Sequence, residues 1–329
     1  MKYFKKKEVF VIGEIGLNHD GSIKKCKLLI KKASEAKFDA IKLQISSPED
    51  SYDTRSKSYN YFKKFNLSIK ELIEIKKYAN SKKIILFATV GDIPSIERLK
   101  IINSPILKIS SGLMTNYPLI KLLAKLNKPM IISTGLAYNK EINKTVKLIR
   151  KYNHNELGIL VCTSIYPSKD DQLKIATINE LKNSYKKDFV GYSDHSKDNL
   201  SSYIAVGLGA EIVEKHITIK RKRFGDHIFA LEAKNFKNFI KNIKRINSMK
   251  KNTKYPIKDE ISLRKNIHRY IVAKIKIRKG EKFSLDNISL KRTLDKSKGL
   301  SIDKYQYLLG KTAKIDINKN YKIKKNQIK

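Results

Sequence analysis

Short apolar runs recur along the first three quarters of the chain, each followed by a longer amphipathic stretch. About eight of these runs can be counted: Val9 to Ile15, Ala40 to Gln44, Ile84 to Val90, Ile106 to Ser111, Met130 to Thr134, Gly158 to Ser164, Phe189 to Ser193 and Glu211 to Ile217. Strands alternating with helices in this way build a parallel sheet whose faces the helices cover. Eight such units in roughly 250 residues predict an α/β fold of the (β/α)8 TIM-barrel type, with a doubly wound sheet as the structural rival. Asn235 to Lys251 then places Phe236, Phe239, Ile243, Ile246 and Met249 at near-helical spacing, which predicts a helix closing the barrel. A TIM-barrel domain is thus expected over 1–251 and a polar connector containing Pro256 over 252–266. A small β-rich domain over 267–329 begins with the strand-like YIVAKIKI and the turn Lys279-Gly280-Glu281.

Every predicted strand ends in polar or ionisable residues: Glu14, Lys42 and Gln44, Thr89, Lys108 and Ser111, Ser133 and Thr134, Thr163 and Ser164, Ser193 with Asp194 and His195, and Glu214 with His216. A barrel gathers the C-terminal ends of its strands around one mouth, so residues scattered in sequence converge in space. Taken singly, a strand-end lysine reads as a solvated or snorkelling side chain. Lys42 and Lys108, however, sit inside apolar runs, and their charges need a buried anionic partner, expected to be a phosphate and a carboxylate. There is no GxxxxGK[ST] loop to cradle a nucleotide. Ser111, Ser133 and Ser193 would join the two lysines as short donors around a small dianion. His195 and His216, each following a buried-looking run on neighbouring strands, read as two ligands for a divalent metal whose remaining positions stay open to substrate and water. The plainer reading is two hydrogen-bonded histidines at a core edge.

The chain has 329 residues and a net charge of +40, from 71 Lys plus Arg against 31 Asp plus Glu. Such a charge invites a nucleic-acid partner. The lysines, however, are spread over every predicted helix and loop with no single patch, so no nucleic acid is expected, although anionic substrates would be steered by the field. The two cysteines, Cys26 in the first helix and Cys162 in a predicted core strand, form neither a disulfide framework nor a zinc spacing. A cytoplasmic location without membrane attachment is expected: no apolar run is long enough to span a bilayer, and the basic amino terminus leads directly into a strand with no signal-peptide core.

The segments EIGLNHDGSIKKCKLLIKKASEAKFDAIKLQ, KISSGLMTNYPLI, PMIISTG, CTSIYP, GYSDHS, EKHITI and GDHIFALE, in this order, resemble the sialic acid synthases, a family that includes legionaminic and pseudaminic acid synthases. The resemblance covers nearly the whole chain. It implies a TIM barrel that condenses phosphoenolpyruvate with an N-acetylmannosamine-type sugar, giving a nonulosonic acid and phosphate. A divalent metal is implied as well, manganese first, with magnesium or cobalt as alternatives. By the same resemblance His195 and His216 hold the metal, and Lys42, Gln44, Lys108, Ser111, Ser133 and Ser193 hold phosphoenolpyruvate. Glu14 orients or transfers protons at the reacting centre, or else forms a salt bridge with one of the lysines. Ser164, Tyr166 and Asp226 line the sugar pocket. HRYIVAKIKIRKGEKFSLDNISLKR resembles the antifreeze-like SAF domain of these synthases, which implies a domain-swapped homodimer in which Arg292, in the LKR motif, reaches the sugar's N-acyl group in the partner subunit's barrel.

Departures from the family pattern fall on the sugar side. Leu113 stands where these synthases carry an acidic residue, and Ser164 replaces a frequent asparagine. A buried sugar hydroxyl facing Leu113 would lack a partner at a cost of roughly 1–3 kcal/mol, which favours a deoxygenated acceptor such as the 2,4-diacetamido-2,4,6-trideoxyhexoses of the legionaminic and pseudaminic branches. A rival from another class is a basic, non-catalytic binding protein on a decayed synthase scaffold. Retention of Glu14, both lysines and both histidines argues against it, because a binding module needs no such combination.

Overall fold

The computed structural model describes residues 3–250 and 254–329. The chain divides into two compact units, Met1–Lys251 and Asn252–Lys329. The domain boundary expected at 251/252 falls within residues 251–253, which lie outside the described residues.

The first unit is an eight-stranded parallel barrel. Its strands, β1 (Phe10–Gly16), β2 (Ala40–Ile45), β3 (Ile85–Val90), β4 (Leu107–Ile109), β5 (Met130–Ser133), β6 (Leu157–Cys162), β7 (Phe189–Asp194) and β8 (Ile212–Thr218), pair in sequence order. Pairing of β1 with β8 closes the ring, so the TIM barrel replaces the doubly wound alternative. Strand periodicity explains why these sequences serve the fold. Alternate residues such as Val11, Ile41, Leu43, Leu86, Ala88, Leu107 and Ile109 belong to the large core between strands and helices. Their neighbours of opposite parity, Phe10, Ile12, Ala40, Phe87, Ile106, Ile131, Leu160 and Ile212, form a second core inside the barrel. Phe4 joins that inner core, edge-on to Phe10 and Phe189, and the backbone N–H groups of Tyr3 and Phe4 donate to Glu156. The amino-terminal segment thus plugs the bottom of the barrel.

The covering helices follow sequence periodicity. In Ile23–Ala36, capped by Ser22, the buried residues are Cys26, Leu29, Ile30, Ala33 and Ala36, at the three- and four-residue spacing of one helix face. The last barrel helix, Phe236–Met249, buries Phe236, Phe239, Ile240 and Ile243, whereas Met249 is 67% exposed and lies beyond the contact the spacing suggested. The β2–β3 connection departs from the simple repeat by carrying three helices, Pro48–Ser51, Lys57–Phe65 and Ile69–Ser81.

The second unit contains the antiparallel strands Tyr270–Ala273 and Ile288–Lys291 and isolated bridges around a core of Ile271, Ile277, Phe283, Ile288, Leu308, Ile317 and Ile323. Within the stretch read as a connector, Lys258–Ile267 forms a helix, with Glu260 accepting from the Ile257 N–H at 2.8 Å. Its apolar residues Ile261, Leu263 and Ile267 are about half exposed, so no buried stripe marked the helix in sequence.

Candidate active site

The inward parity that supplies the apolar floor switches to polar residues one step higher on almost every strand. Phe10 and Ile12 lead to Glu14, Ala40 to Lys42, Phe87 to Thr89, Ile106 to Lys108, Ile131 to Ser133, and Ile212 to Glu214 and His216. Register then sets the neighbours. Glu14 lies opposite Lys42 on one side and His216 on the other, Thr89 opposite Lys108, and Ser193 opposite Glu214.

The result is a buried four-charge cluster. Lys42 is in close contact with Glu14, lies 3.8 Å from Glu214 and donates to Thr89 Oγ1 at 2.9 Å. Lys108 lies 3.7 Å from the same Glu214 oxygen and donates to Ser133 Oγ at 2.6 Å, and Ser193 donates to that oxygen at 3.2 Å. Glu214, read from sequence only as one more polar strand-end residue, therefore sits between both lysines. The counter-charge is supplied within the chain, and the salt-bridge alternative for Glu14 describes its geometry in this structure. Burial opposes ionisation of Glu214, but Lys108 and Lys42 outweigh it and hold the carboxyl below its ordinary range. Glu14 goes the other way: burial, with repulsion from Glu214, exceeds the pull of Lys42 and pushes it up to about 7. One carboxylate of the pair thus stays charged, while the other changes protonation near neutrality.

Beside the cluster the two imidazoles lie with ring centroids 5.4 Å apart, flanked by Tyr166 at 4.2 Å from His195 and Phe229 at 5.1 Å from His216. His195 Nδ1–H donates to the Thr163 carbonyl at 2.7 Å, which directs Nε2 away as the free nitrogen. Burial, with the positive charge of Lys42 beside it, keeps His216 well below the ordinary histidine range, so it is neutral. Its buried Nδ1 has no hydrogen-bond partner and lies 3.5 Å from Asp226 Oδ2. Two adjacent imidazoles, one tautomer set by a carbonyl and the other kept neutral, fit a divalent metal held by two protein ligands. Among the described residues no group of three or more His, Cys, Asp or Glu side chains forms a fuller cage.

A cavity of about 480 Å³ opens over this layer. Gln44, Thr89, Ser111, Leu113, Ser164 and Tyr166 line it, together with Ile45, Tyr52, Phe62 and Leu136, and none of its described lining side chains is charged. Cys162 ends β6, the strand in which it was expected, and its Sγ stands at the mouth, 3.5 Å from Ser111 Oγ and 3.7 Å from His195 Nδ1. On the helix-facing side of the same strands, fully buried Asp194 and Lys215 pair at 2.9 Å, and Lys215 also donates to the carbonyls of Ser196 and Asp198. This clamp holds β7 to β8 directly behind the two histidines. Arg292 belongs to the second unit, where it is exposed and its Nε–H donates to the Ile267 carbonyl at 3.1 Å. Among the described residues no helix is long and apolar enough to cross a membrane.

A parallel barrel whose mouth combines paired buried lysines and carboxylates with two neighbouring imidazoles defines a class of barrel enzymes that act on small molecules at their strand ends. Within that class the chain belongs to the NeuB family, which residues 29–255 match, while residues 268–329 match the SAF domain. It is 33% identical to the N,N'-diacetyllegionaminic acid synthase of Campylobacter jejuni, over 96% of this chain and 98% of that protein. It is 31% identical to the pseudaminic acid synthase of the same species, over 94% of each. The crystal structure of N-acetylneuraminic acid (sialic acid) synthetase from Leptospira borgpetersenii, in complex with citrate, is similar with a TM-score of 0.75 and 32% identity, covering 79% of this chain and 92% of that one. The chain is accordingly a sialic-acid-synthase-like enzyme.

Proposed function

We propose that the barrel condenses phosphoenolpyruvate with an N-acyl amino sugar of the N-acetylmannosamine type, forming a nonulosonic acid and phosphate. The observation that carries this reading is the buried Glu14–Lys42–Glu214–Lys108 cluster beside the two imidazoles. Lys42 and Lys108 hold the phosphate and carboxylate of phosphoenolpyruvate, with Ser111, Ser133, Ser193 and Gln44 as short donors. Arrival of this anion between two carboxylates favours protonation of the one already poised near 7, so Glu14 is the proton carrier. Carbon 3 of phosphoenolpyruvate bonds to the sugar's aldehyde carbon. Water bonds to carbon 2, giving one proton through Glu14 that ends on the former aldehyde oxygen. The carbon 2–oxygen bond to phosphate then breaks, with the remaining water proton leaving on phosphate and carbon 2 becoming the ketone. Orientation of both substrates in one cavity supplies much of the rate without a covalent enzyme intermediate.

His195 and His216 are the residues that would hold a divalent metal, manganese first with magnesium or cobalt as alternatives, and such an ion supplies Lewis-acid polarisation of a carbonyl oxygen. Domain roles follow the same reading: residues 1–251 form the synthase barrel, 252–266 the connector and 267–329 the cap. In a homodimer, Arg292 of one subunit would serve the sugar in the other. Metabolism of small phosphorylated substrates suits the cytoplasm.

For the acceptor, Leu113 with Ile45, Phe62 and Leu136 gives the cavity an apolar wall. An unpaired buried hydroxyl there costs about one to two orders of magnitude in discrimination, so a 2,4-diacetamido-2,4,6-trideoxyhexose is expected to exceed N-acetylmannosamine in kcat/KM by about tenfold or more. Leu113→Glu should shift preference toward N-acetylmannosamine. Mass spectrometry of products from a panel of both sugars decides the point. Turnover of N-acetylmannosamine at least as efficient as that of the diacetamido sugar contradicts the apolar-wall argument.

A further inference from the structure

Two loops meet where β1 and β8 close the barrel: residues 17–22 after β1 and residues 219–230 after β8. One carboxylate fastens them. Asp20 Oδ1 accepts from His227 Nε2–H at 2.9 Å, while Oδ2 pairs with Lys25 at 2.9 Å and is in close contact with Lys222. The other ring nitrogen of His227 lies 2.7 Å from Thr218 Oγ1, so both ends of the imidazole are used, and the residue is only 2% exposed. Burial opposes the charge of Asp20, yet the bonds from Lys222, Lys25 and His227 outweigh it and hold the carboxyl far below its ordinary range.

The loop after β8 needs such a fastening. It carries four consecutive cations, Lys220 to Arg223, whose mutual repulsion favours an extended, open segment. Arg221 is tied down by the carbonyls of Lys197, Phe229 and Ala230, and Lys222 by Asp20. The turn that follows, Gly225–Ile228, is set by a second contact. Gly225 has φ of 54°, a left-handed conformation that favours glycine, and a Cβ at that position would press on the Tyr61 hydroxyl 2.3 Å away. Between Gly225 against Tyr61 and His227 in its slot stands Asp226, with Oδ2 3.5 Å from His216 Nδ1.

We propose that Asp20 and His227 form a latch that fixes the loop after β8 and thereby sets Asp226 against His216 on the acceptor side of the mouth. The two are positioning residues, since neither faces the reacting atoms. The latch itself is independent of the reaction, whereas its consequence for the acceptor rests on the proposed role of Asp226 in sugar binding.

The test compares His227→Ala, His227→Gln and Asp20→Asn with the wild-type full-length protein. Gln retains an N–H that can reach Asp20, while Asn at position 20 removes the charge that holds the two lysines. In His227→Ala and Asp20→Asn, amides of residues 219–230 should exchange with deuterium about tenfold faster or more, with β1 and β8 unchanged, because only the loop's local opening is eased. In turnover assays the KM for the N-acyl amino sugar should rise about tenfold or more, with that for phosphoenolpyruvate changed less than about twofold, and Gln should restore most of the loss. Unchanged exchange in folded His227→Ala overturns the latch, as does a Gln variant as defective as Ala, and equal weakening of both substrates overturns its consequence for the acceptor. If His227→Ala does not fold, the same readings on His227→Gln against Asp20→Asn decide. Absence of condensation in the wild type would refute the proposed reaction, and hydrogen exchange would still decide the latch.

Discussion

His195→Ala and His216→Ala should each lower turnover by about a hundred- to a thousandfold or more, since each would remove one of the two imidazoles proposed to hold the divalent metal. The barrel should stay folded, because the β7–β8 clamp of Asp194 and Lys215 lies on the opposite side of the strands and is untouched. Manganese affinity, followed by electron paramagnetic resonance of the free ion, should fall in both variants. Full activity in either one, or undiminished wild-type activity in excess chelator, contradicts the assignment. The same variant tests the cap. Coexpressed with an inactive Arg292→Ala chain, His195→Ala should regain activity, because one site of a heterodimer then combines an intact barrel with an intact arginine. Heterodimers as inactive as their parents would show that Arg292 does not serve a partner's barrel.

Lys42→Met and Lys108→Met should each raise the KM for phosphoenolpyruvate by about ten- to a hundredfold and leave that for the sugar nearly unchanged, since a charge-assisted bond to a sheltered phosphate is worth roughly 1.5–3 kcal/mol. The structure adds a stability effect. Removing one lysine strands buried carboxylates, a change that costs about 3–5 kcal/mol. Lys42→Met should therefore also melt earlier in a thermal scan. Pairing it with Glu14→Gln should recover part of the stability and none of the phosphoenolpyruvate affinity, which separates folding from binding. A KM effect confined to the sugar would show the substrates to be placed the wrong way round.

The barrel was legible because strand and helix periods leave different apolar spacings, and its mouth was legible because polar residues at the ends of parallel strands must converge. Lys42 and Lys108 announced themselves as charges embedded in apolar runs. Glu214 did not, although it lies within 4 Å of both lysines. It reads as one of several polar strand ends, and only closure of β8 onto β1 brings it beside residues far away in sequence. Cys162 has the same difficulty in reverse: a thiol ending an apolar strand reads as core, and only inward parity turns it toward His195. Asp194 and Lys215 flank the two histidines in sequence, yet alternation sends them to the other face, where they clamp what the histidines use. The helix Lys258–Ile267 carried no buried stripe to mark it. The acceptor preference remains tied to a few wall residues such as Leu113, because hydroxyl-lined cavities suit many sugars.

The most direct measurement uses phosphoenolpyruvate isotopically labelled at its bridging oxygen, incubated with the protein, manganese and an N-acyl amino sugar, with phosphate and organic acid followed by mass spectrometry. The expected result is a nonulosonic acid formed in equal amount with inorganic phosphate, the label residing entirely in the phosphate because the bond from carbon 2 to oxygen breaks. Label retained in the acid's keto oxygen, or phosphate released without a carbon–carbon bonded product from any sugar of the panel, would contradict the assignment of this barrel as a condensing synthase.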